Sequence, residues 1–119
     1  MGSLSHRNII DYYGCEELEE SLHIFLEYMP QGSISSLLKN RGPLPTFLIR
    51  NYTIQILDAL TYLHAHKCLH KVIKGGNILI SANNVPKLAD FGNSQQLEQT
   101  VTLSVKRKHI NEKDIIFKN

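Results

Sequence analysis

Apolar and polar residues alternate in the first third of the chain, which is the pattern of half-buried strands. We predict a first strand in IIDYYG, residues 9–14, and a second in LHIFLEY, residues 22–28, where every other residue is apolar. The acidic stretch EELEES lies between them and predicts a turn. The two strands and the turn indicate an antiparallel hairpin.

Helical spacing replaces this alternation after the MPQGS segment. Ser33 can cap a short helix over residues 34–40, which Gly42 would end. Pro45 suits the first turn of a longer helix, because its missing N–H would have no intrahelical partner there. The apolar residues of this longer helix keep one face and predict core packing: Leu48, Tyr52, Ile56, Ala59, Leu60 and Leu63.

A second, smaller hairpin is predicted from NILI and VPKLA, two short apolar runs separated by SANN. Asn83 and Asn84 tolerate positive φ in such a turn, and Pro86 restricts its strand to an edge or a bulge. From Gln95 onward the apolar spacing is irregular and KRKHINEKD is mostly charged. We assign no element type to that segment.

Composition narrows the class of protein. The 119 residues are 42% hydrophobic and 20% charged, which is typical of one ordinary globular domain. A net charge of +2 gives no argument for nucleic-acid binding. Cys15 and Cys68 form no C-x-x-C pair and are expected to be reduced thiols. Without a membrane-length apolar run or a signal peptide, we expect a cytoplasmic or nuclear protein with no membrane and no nucleic-acid partner.

The candidate cation-binding residues lie at the ends of the small hairpin. Asn77 stands just before its first strand and Asp90 just after its second, so antiparallel pairing brings them to one end. Lys74 lies three residues before Asn77. Two oxygen ligands beside one cation are the groups of a Mg²⁺–nucleotide site. Such residues also surround turns merely because turns are solvated, so the geometry leaves both interpretations open.

The residues in and around this hairpin resemble the motifs of a known family. Residues 70–77, HKVIKGGN, resemble the H-R-D-x-K-x-x-N catalytic loop of protein kinases, and Asp90-Phe91-Gly92 resembles their D-F-G motif. Upstream, HRNII, FLEYMPQGSISSLL and TYLHAHKCLH resemble the entry to the fourth strand, the hinge with its helix, and the helix before the loop. The resemblance to a serine/threonine kinase domain covers about residues 4–92, and GSISSLL and IKGGNIL resemble the mitogen-activated protein kinase kinase kinase group.

The resemblance implies a partial protein-kinase-like fold of the α+β class in residues 1–94. That part would contain the end of the small lobe with a β-hairpin, the hinge, the first helices of the large lobe and the catalytic-loop hairpin. We expect residues 95–119 to form a divergent, disordered tail.

ATP and Mg²⁺ are the cofactors that the resemblance implies, with binding weakened or lost by the departures described next. The implied nucleotide-facing residues are Leu26 as gatekeeper, Glu27 and Met29 through their backbone, and Leu79 beneath adenine. Asn77 and Asp90 would hold Mg²⁺, Lys74 would face the transferring phosphate, and His70 and Phe91 would link the loop to the core.

The chain departs from the family at the catalytic base. Val72 stands where kinases have the aspartate that accepts the substrate hydroxyl proton, and loss of a positioned base typically costs about 10²- to 10⁴-fold in rate. Lys71 replaces the neighbouring arginine and lacks its bidentate fork. The chain also has no G-x-G-x-x-G, no lysine before Lys39 and no A-P-E.

Three hypotheses follow from these departures. The chain is a kinase-like domain without phosphotransfer, a non-catalytic binding or regulatory module that engages a kinase or scaffold, or an active ATP-dependent serine/threonine kinase whose missing parts lie outside it. Val72 argues against the third. A hairpin without further strands is marginal, so we also expect the isolated chain to be poorly stable or to need a partner.

Overall fold

The computed structural model describes residues 4–90 and the backbone of residues 95–96 and 115–118. The elements in chain order are β1 (Tyr12–Leu18), β2 (Ser21–Glu27), α1 (Ile34–Arg41), α2 (Thr46–Ala65), β3 (Cys68–Leu69), a 3-10 turn (Gly75–Asn77), β4 (Ile78–Ile80), β5 (Pro86–Leu88), β6 (Gln95–Gln96) and β7 (Ile115–Lys118). The predicted α+β class is confirmed. Most of the 95–119 segment lies outside the described residues.

The first hairpin forms, but its turn is shorter than predicted. β1 and β2 pair antiparallel up to Leu18 and Ser21, so residues 19–20 alone make the turn. Glu16 and Glu17 belong to β1 and not to the turn. The prediction was wrong there because β1 is the edge strand of the order β1-β2-β7, and an exposed edge strand accommodates charged side chains.

β2 is the central strand of this sheet. β7 pairs with it in parallel, from Ile24 opposite Ile115 to Glu27 opposite Lys118, a contact that the sequence pattern did not indicate. All seven residues of β2 are half-buried, without the alternation predicted for them. The helices make their main contacts with β3, β4, β5 and the 3-10 turn, so neither face of β2 gains the burial of a core strand.

Both helices form where the sequence predicts them. Ser33 caps α1 by accepting a hydrogen bond from the Ser36 N–H at 3.1 Å, and Gly42 ends the helix with φ of 78°. Pro45 lies one residue before α2 as its N-cap. The predicted apolar face of α2 is buried at Tyr52, Ile56, Ala59 and Leu63 and half-buried at Leu48 and Leu60. No helix in the described ranges is long and apolar enough to span a bilayer.

The second hairpin is the centre of the core. β4 and β5 pair from Ile78 opposite Leu88 to Ile80 opposite Pro86, and Asn84 in the turn has φ of 64°. Two clusters join this hairpin to the helices. The first contains Ile9, Ile56, Ala59, Leu63 and Leu88, and the second contains Leu37, Tyr52 and Ile80. The hairpin therefore has a fixed position relative to both helices.

The N-terminal segment pairs with this hairpin through an isolated parallel bridge between Ile9 and Leu88. The Leu88 N–H donates to the Asn8 carbonyl at 2.8 Å, and the Ile10 N–H donates to the Leu88 carbonyl at 2.9 Å. The Asn8 side chain, 2% exposed, donates to the Pro86 carbonyl at 2.9 Å. The predicted strand over residues 9–14 is thus divided: its start pairs with β5, and its end belongs to β1.

Candidate functional site

The structure places Asn77 and Asp90 at the same end of the β4–β5 hairpin. The Ala89 N–H donates to the backbone carbonyl of Asn77 at 2.9 Å, which extends the ladder one residue beyond the Ile78–Leu88 pair. Asp90 follows directly and is exposed, with φ of 58°. The backbones of Asn77 and Asp90 therefore lie at the same end of the hairpin, where the two-ligand cation site was predicted.

The Asn77 side chain is oriented by the loop. It is 6% exposed, and its Nδ2 donates to the Val72 carbonyl oxygen at 3.0 Å. Because a carbonyl only accepts hydrogen bonds, the nitrogen of the amide must face the loop, and Oδ1 therefore points away from Val72. Oδ1 is the atom through which asparagine would ligate a cation.

Asn77 and Asp90 fit Mg²⁺, which commonly takes one or two protein oxygen ligands and completes its shell with phosphate oxygens and water. Among the described residues, no group of three or more His, Cys, Asp or Glu could hold a metal ion.

His70 connects the loop to the strand end that carries Asp90. Its ring is 1% exposed, with Nε2 2.7 Å from the Ala89 carbonyl oxygen and Nδ1 3.3 Å from the Val72 nitrogen. The carbonyl accepts and the N–H donates, so this arrangement uses the neutral ring with its proton on Nε2. The neighbouring Lys71 and Asp90 both have left-handed backbones, at a cost of about 1–2 kcal/mol each for non-glycine residues.

Val72 contributes only its main chain to this loop. Its N–H donates to His70 and its carbonyl accepts from Asn77. The shape of the loop is therefore maintained by groups that any residue at this position would supply. The side chain has no oxygen or nitrogen, so it cannot accept a proton.

An apolar cluster lies where the nucleotide base was predicted to bind. Met29, 5% exposed, packs with the buried Ile10 and Ala89, and the half-buried Leu26 and Leu79 pack against them. Three of the four residues predicted to face the nucleotide thus share one cluster. Their contact with a nucleotide stays a prediction.

Glu27, the fourth of these residues, makes two contacts that fix it. Its N–H donates to the Asp11 carbonyl at 2.9 Å, and its carboxylate pairs with Lys87 at 2.7 Å. Lys87 was not among the residues predicted from the sequence. Its signal was a lysine placed between Pro86 and Leu88, two apolar residues of a predicted strand.

Lys74 lies in the same loop as Asn77 and contributes its backbone, not its side chain, to the hydrogen bonds of the loop. It is exposed, its backbone is extended, and its carbonyl accepts from the Asn77 N–H at 2.9 Å. The ammonium group can therefore reach into solvent beside the predicted cation site. Phe91 and Gly92 lie outside the described residues.

Comparison with known proteins gives a consistent family. The protein kinase domain family matches residues 1–111. The chain is similar to mitogen-activated protein kinase kinase kinase ANP1 of Arabidopsis thaliana, 47% identical over 102 residues, and to serine/threonine-protein kinase STE11 of Saccharomyces cerevisiae, 49% identical over 94. It is also 49% identical over 105 residues to mitogen-activated protein kinase kinase kinase 3 of Homo sapiens.

These matches cover most of this chain and a small part of each relative. They include 86%, 79% and 86% of the chain but only 15%, 13% and 16% of the Arabidopsis, yeast and human proteins. The division of the chain at residue 94 stays a prediction. The chain belongs to the protein kinase domain family, and its relatives are serine/threonine kinases of the mitogen-activated protein kinase kinase kinase group.

Proposed function

We propose that this chain forms a kinase-type nucleotide half-site that binds Mg²⁺–ATP weakly and does not transfer phosphate. The observation that carries the proposal is Val72. Its main chain takes part in the hydrogen bonds of the loop, while its side chain offers no proton acceptor. A preserved loop with a missing base supports binding without the chemical step.

The binding part of the proposal rests on two groups of residues. Leu26, Met29 and Leu79 form the apolar cluster against which adenine would pack. Asn77 Oδ1 and the Asp90 carboxylate would hold Mg²⁺, which would neutralise charge on the phosphates when bound. Lys74 would face the same phosphates from solvent as a point charge.

The catalytic part of the proposal depends on one proton. In kinases, an aspartate orients the substrate hydroxyl and accepts its proton as phosphate is transferred. A valine leaves that proton to water, and losing a positioned base lowers the rate by about 10²- to 10⁴-fold. This defect is local, so it applies equally to any longer polypeptide that contains the same loop.

A phosphotransfer assay tests the proposal. Wild type, Val72→Asp and Asp90→Asn would be incubated with γ-labelled ATP, Mg²⁺ and a basic protein acceptor, in this chain and in the longest natural polypeptide that contains it. Wild type should give no transfer above the Asp90→Asn background. Transfer by wild type that Asp90→Asn abolishes would contradict the proposal and favour an active kinase.

A second candidate function is supported by the outer face of α2. Phe47, Ile54 and Leu57 are 70%, 58% and 56% exposed, which is unusual for large apolar side chains on one helix. Such a face favours a non-catalytic module that engages a protein, and the family makes a kinase or scaffold the partner we propose. Stoichiometric co-purification of such a partner, lost when Ile54 and Leu57 become lysine, would support this function over the first.

A further inference from the structure

An ion pair connects the two hairpins beside the predicted base-binding cluster. Lys87 Nζ lies 2.7 Å from both carboxylate oxygens of Glu27. The two side chains are only 13% and 21% exposed, so water screens them little. Removing one partner of such a pair leaves an uncompensated charge and is more disruptive than losing a surface ion pair.

Lys87 lies on the same face of its hairpin as a residue predicted to contact adenine. It is directly opposite Leu79 in the β4–β5 ladder, and cross-strand neighbours project to the same side of a sheet. Glu27 ends β2, next to Leu26 and two residues before Met29. The ion pair therefore joins the strand under the proposed ring to the segment that would border it.

The side chain and the backbone of Glu27 both bond to the backbone of Asp11. Its Oε2 also accepts from the Asp11 N–H at 3.2 Å, and its N–H donates to the Asp11 carbonyl at 2.9 Å. Side chain and main chain of Glu27 are thus fixed together. A shift of the carboxylate would move the backbone of the Glu27–Met29 segment with it.

We propose that Lys87 is a positioning residue for the nucleotide base: through Glu27 it sets the distance between the Glu27–Met29 segment and Leu79, and so the width of the slot for a planar heteroaromatic ring. This inference rests on the proposed nucleotide half-site. Lys87 lies outside the motifs that resemble protein kinases. Its proposed effect is on binding of the ring and does not involve the phosphates.

Amide hydrogen exchange tests the positioning without any nucleotide. The reporters are the Glu27 amide, bonded to Asp11, and the Gly32 amide, bonded to the Met29 carbonyl. Lys87→Met should speed exchange at both by about tenfold or more, because the local opening free energy falls when the link is lost. Lys87→Arg should restore protection, since a guanidinium can pair with both carboxylate oxygens. Lys39→Met, at an exposed position at the end of α1, is the matched control and should change neither amide.

The double variant Glu27→Gln Lys87→Met guards against a folding defect, because it leaves no buried unpaired charge. It should keep wild-type protection within α2 and still exchange faster at Glu27 and Gly32. Wild-type protection of those two amides in folded Lys87→Met or in the double variant would overturn the inference.

Ligand affinities then distinguish an effect on binding of the ring from an effect on binding of the phosphates. Titration with adenosine and with Mg²⁺–ATP should show Lys87→Met weakening both by the same factor, about 3- to 10-fold, because they share the ring. Weakening confined to Mg²⁺–ATP would overturn the inference by indicating a phosphate contact. If wild type binds neither ligand, the proposed function fails, and the exchange experiment alone decides on the ion pair.

Discussion

His70 Nε2 donates a hydrogen bond to the Ala89 carbonyl oxygen at 2.7 Å, which ties the kinase-like loop to the strand end that leads into Asp90. The histidine is 1% exposed and the alanine 7%. Because the same ring accepts from the Val72 N–H, one side chain fixes the loop on one side and the approach to Asp90 on the other. Loss of this ring should therefore affect the fold and the cation site together.

We predict that His70→Phe lowers the free energy of unfolding by about 1–3 kcal/mol, because the buried Ala89 carbonyl and Val72 N–H lose their partner. Urea unfolding measures this change. His64→Phe, which alters an exposed histidine near the end of α2, is the control and should stay within about 0.5 kcal/mol of wild type. Equal stability of the two variants would show that the His70 bonds contribute nothing.

Two adjacent glycines in the loop should respond differently to a methyl group. A Cβ on Gly75 would lie 2.8 Å from Ser35 Oγ, whereas a Cβ on Gly76 would meet no atom closer than 3.9 Å. We predict that Gly75→Ala lowers the melting temperature and that Gly76→Ala does not. Combining Gly75→Ala with Ser35→Ala should recover most of the loss, because the contacting oxygen is removed. A Gly75→Ala defect that Ser35→Ala leaves unchanged would refute this explanation.

Much of the local structure could be predicted from the sequence because it depends on residues close together in the chain. The α2 face follows from helical spacing, and the ends of α1 follow from Ser33 and Gly42. The position of Asn77 near Asp90 follows from a hairpin with a short turn. In each case a few neighbouring side chains determine the backbone.

The contacts that were missed join residues far apart in the chain. Glu27 and Lys87 are 60 positions apart, and Asn8 reaches Pro86 across 78. The spacing of apolar and polar residues in either segment does not indicate which distant group will pair with a buried charge or amide. β7 illustrates the same limit, since a short run of three apolar residues and a lysine can pair with any available edge.

Tyr52 should make the stability of the chain sensitive to alkaline pH. Burial raises the pKa of its phenol above the ordinary value of 10.0, and its hydroxyl donates to Asn84 in the β4–β5 turn. The folded state holds this proton to higher pH than the unfolded state does. The resulting stabilisation is therefore complete below pH 10.0 and is lost as pH rises through the higher folded-state pKa.

We predict that Tyr52→Phe is less stable at neutral pH by about 0.5–1.5 kcal/mol and loses less stability on alkalinisation. The free energy of unfolding would be measured between about pH 8 and about pH 11. Tyr13→Phe, at a position 57% exposed, should follow the wild-type profile. Parallel alkaline declines for wild type and Tyr52→Phe would contradict the assignment.

The exposed apolar face of α2 should cause the isolated chain to self-associate. Replacing Ile54 and Leu57, 58% and 56% exposed, by lysine should shift the sedimentation profile toward monomer and raise solubility. Asn40→Lys adds charge at an exposed polar position and should have no such effect. A wild-type chain that is monomeric at all concentrations and unfolds cooperatively would show that this face needs no partner.

A thermal-shift titration with ATP tests whether a nucleotide half-site persists beside the missing base. Wild type should be stabilised by ATP only when Mg²⁺ is present, by an amount that grows with ligand concentration. Asp90→Asn is the control, because asparagine also tolerates the left-handed backbone at this position but lacks the negative charge. Mg²⁺-dependent stabilisation that disappears in Asp90→Asn is the predicted result. The absence of a shift in a demonstrably folded wild-type chain would show that this half-site does not bind nucleotide.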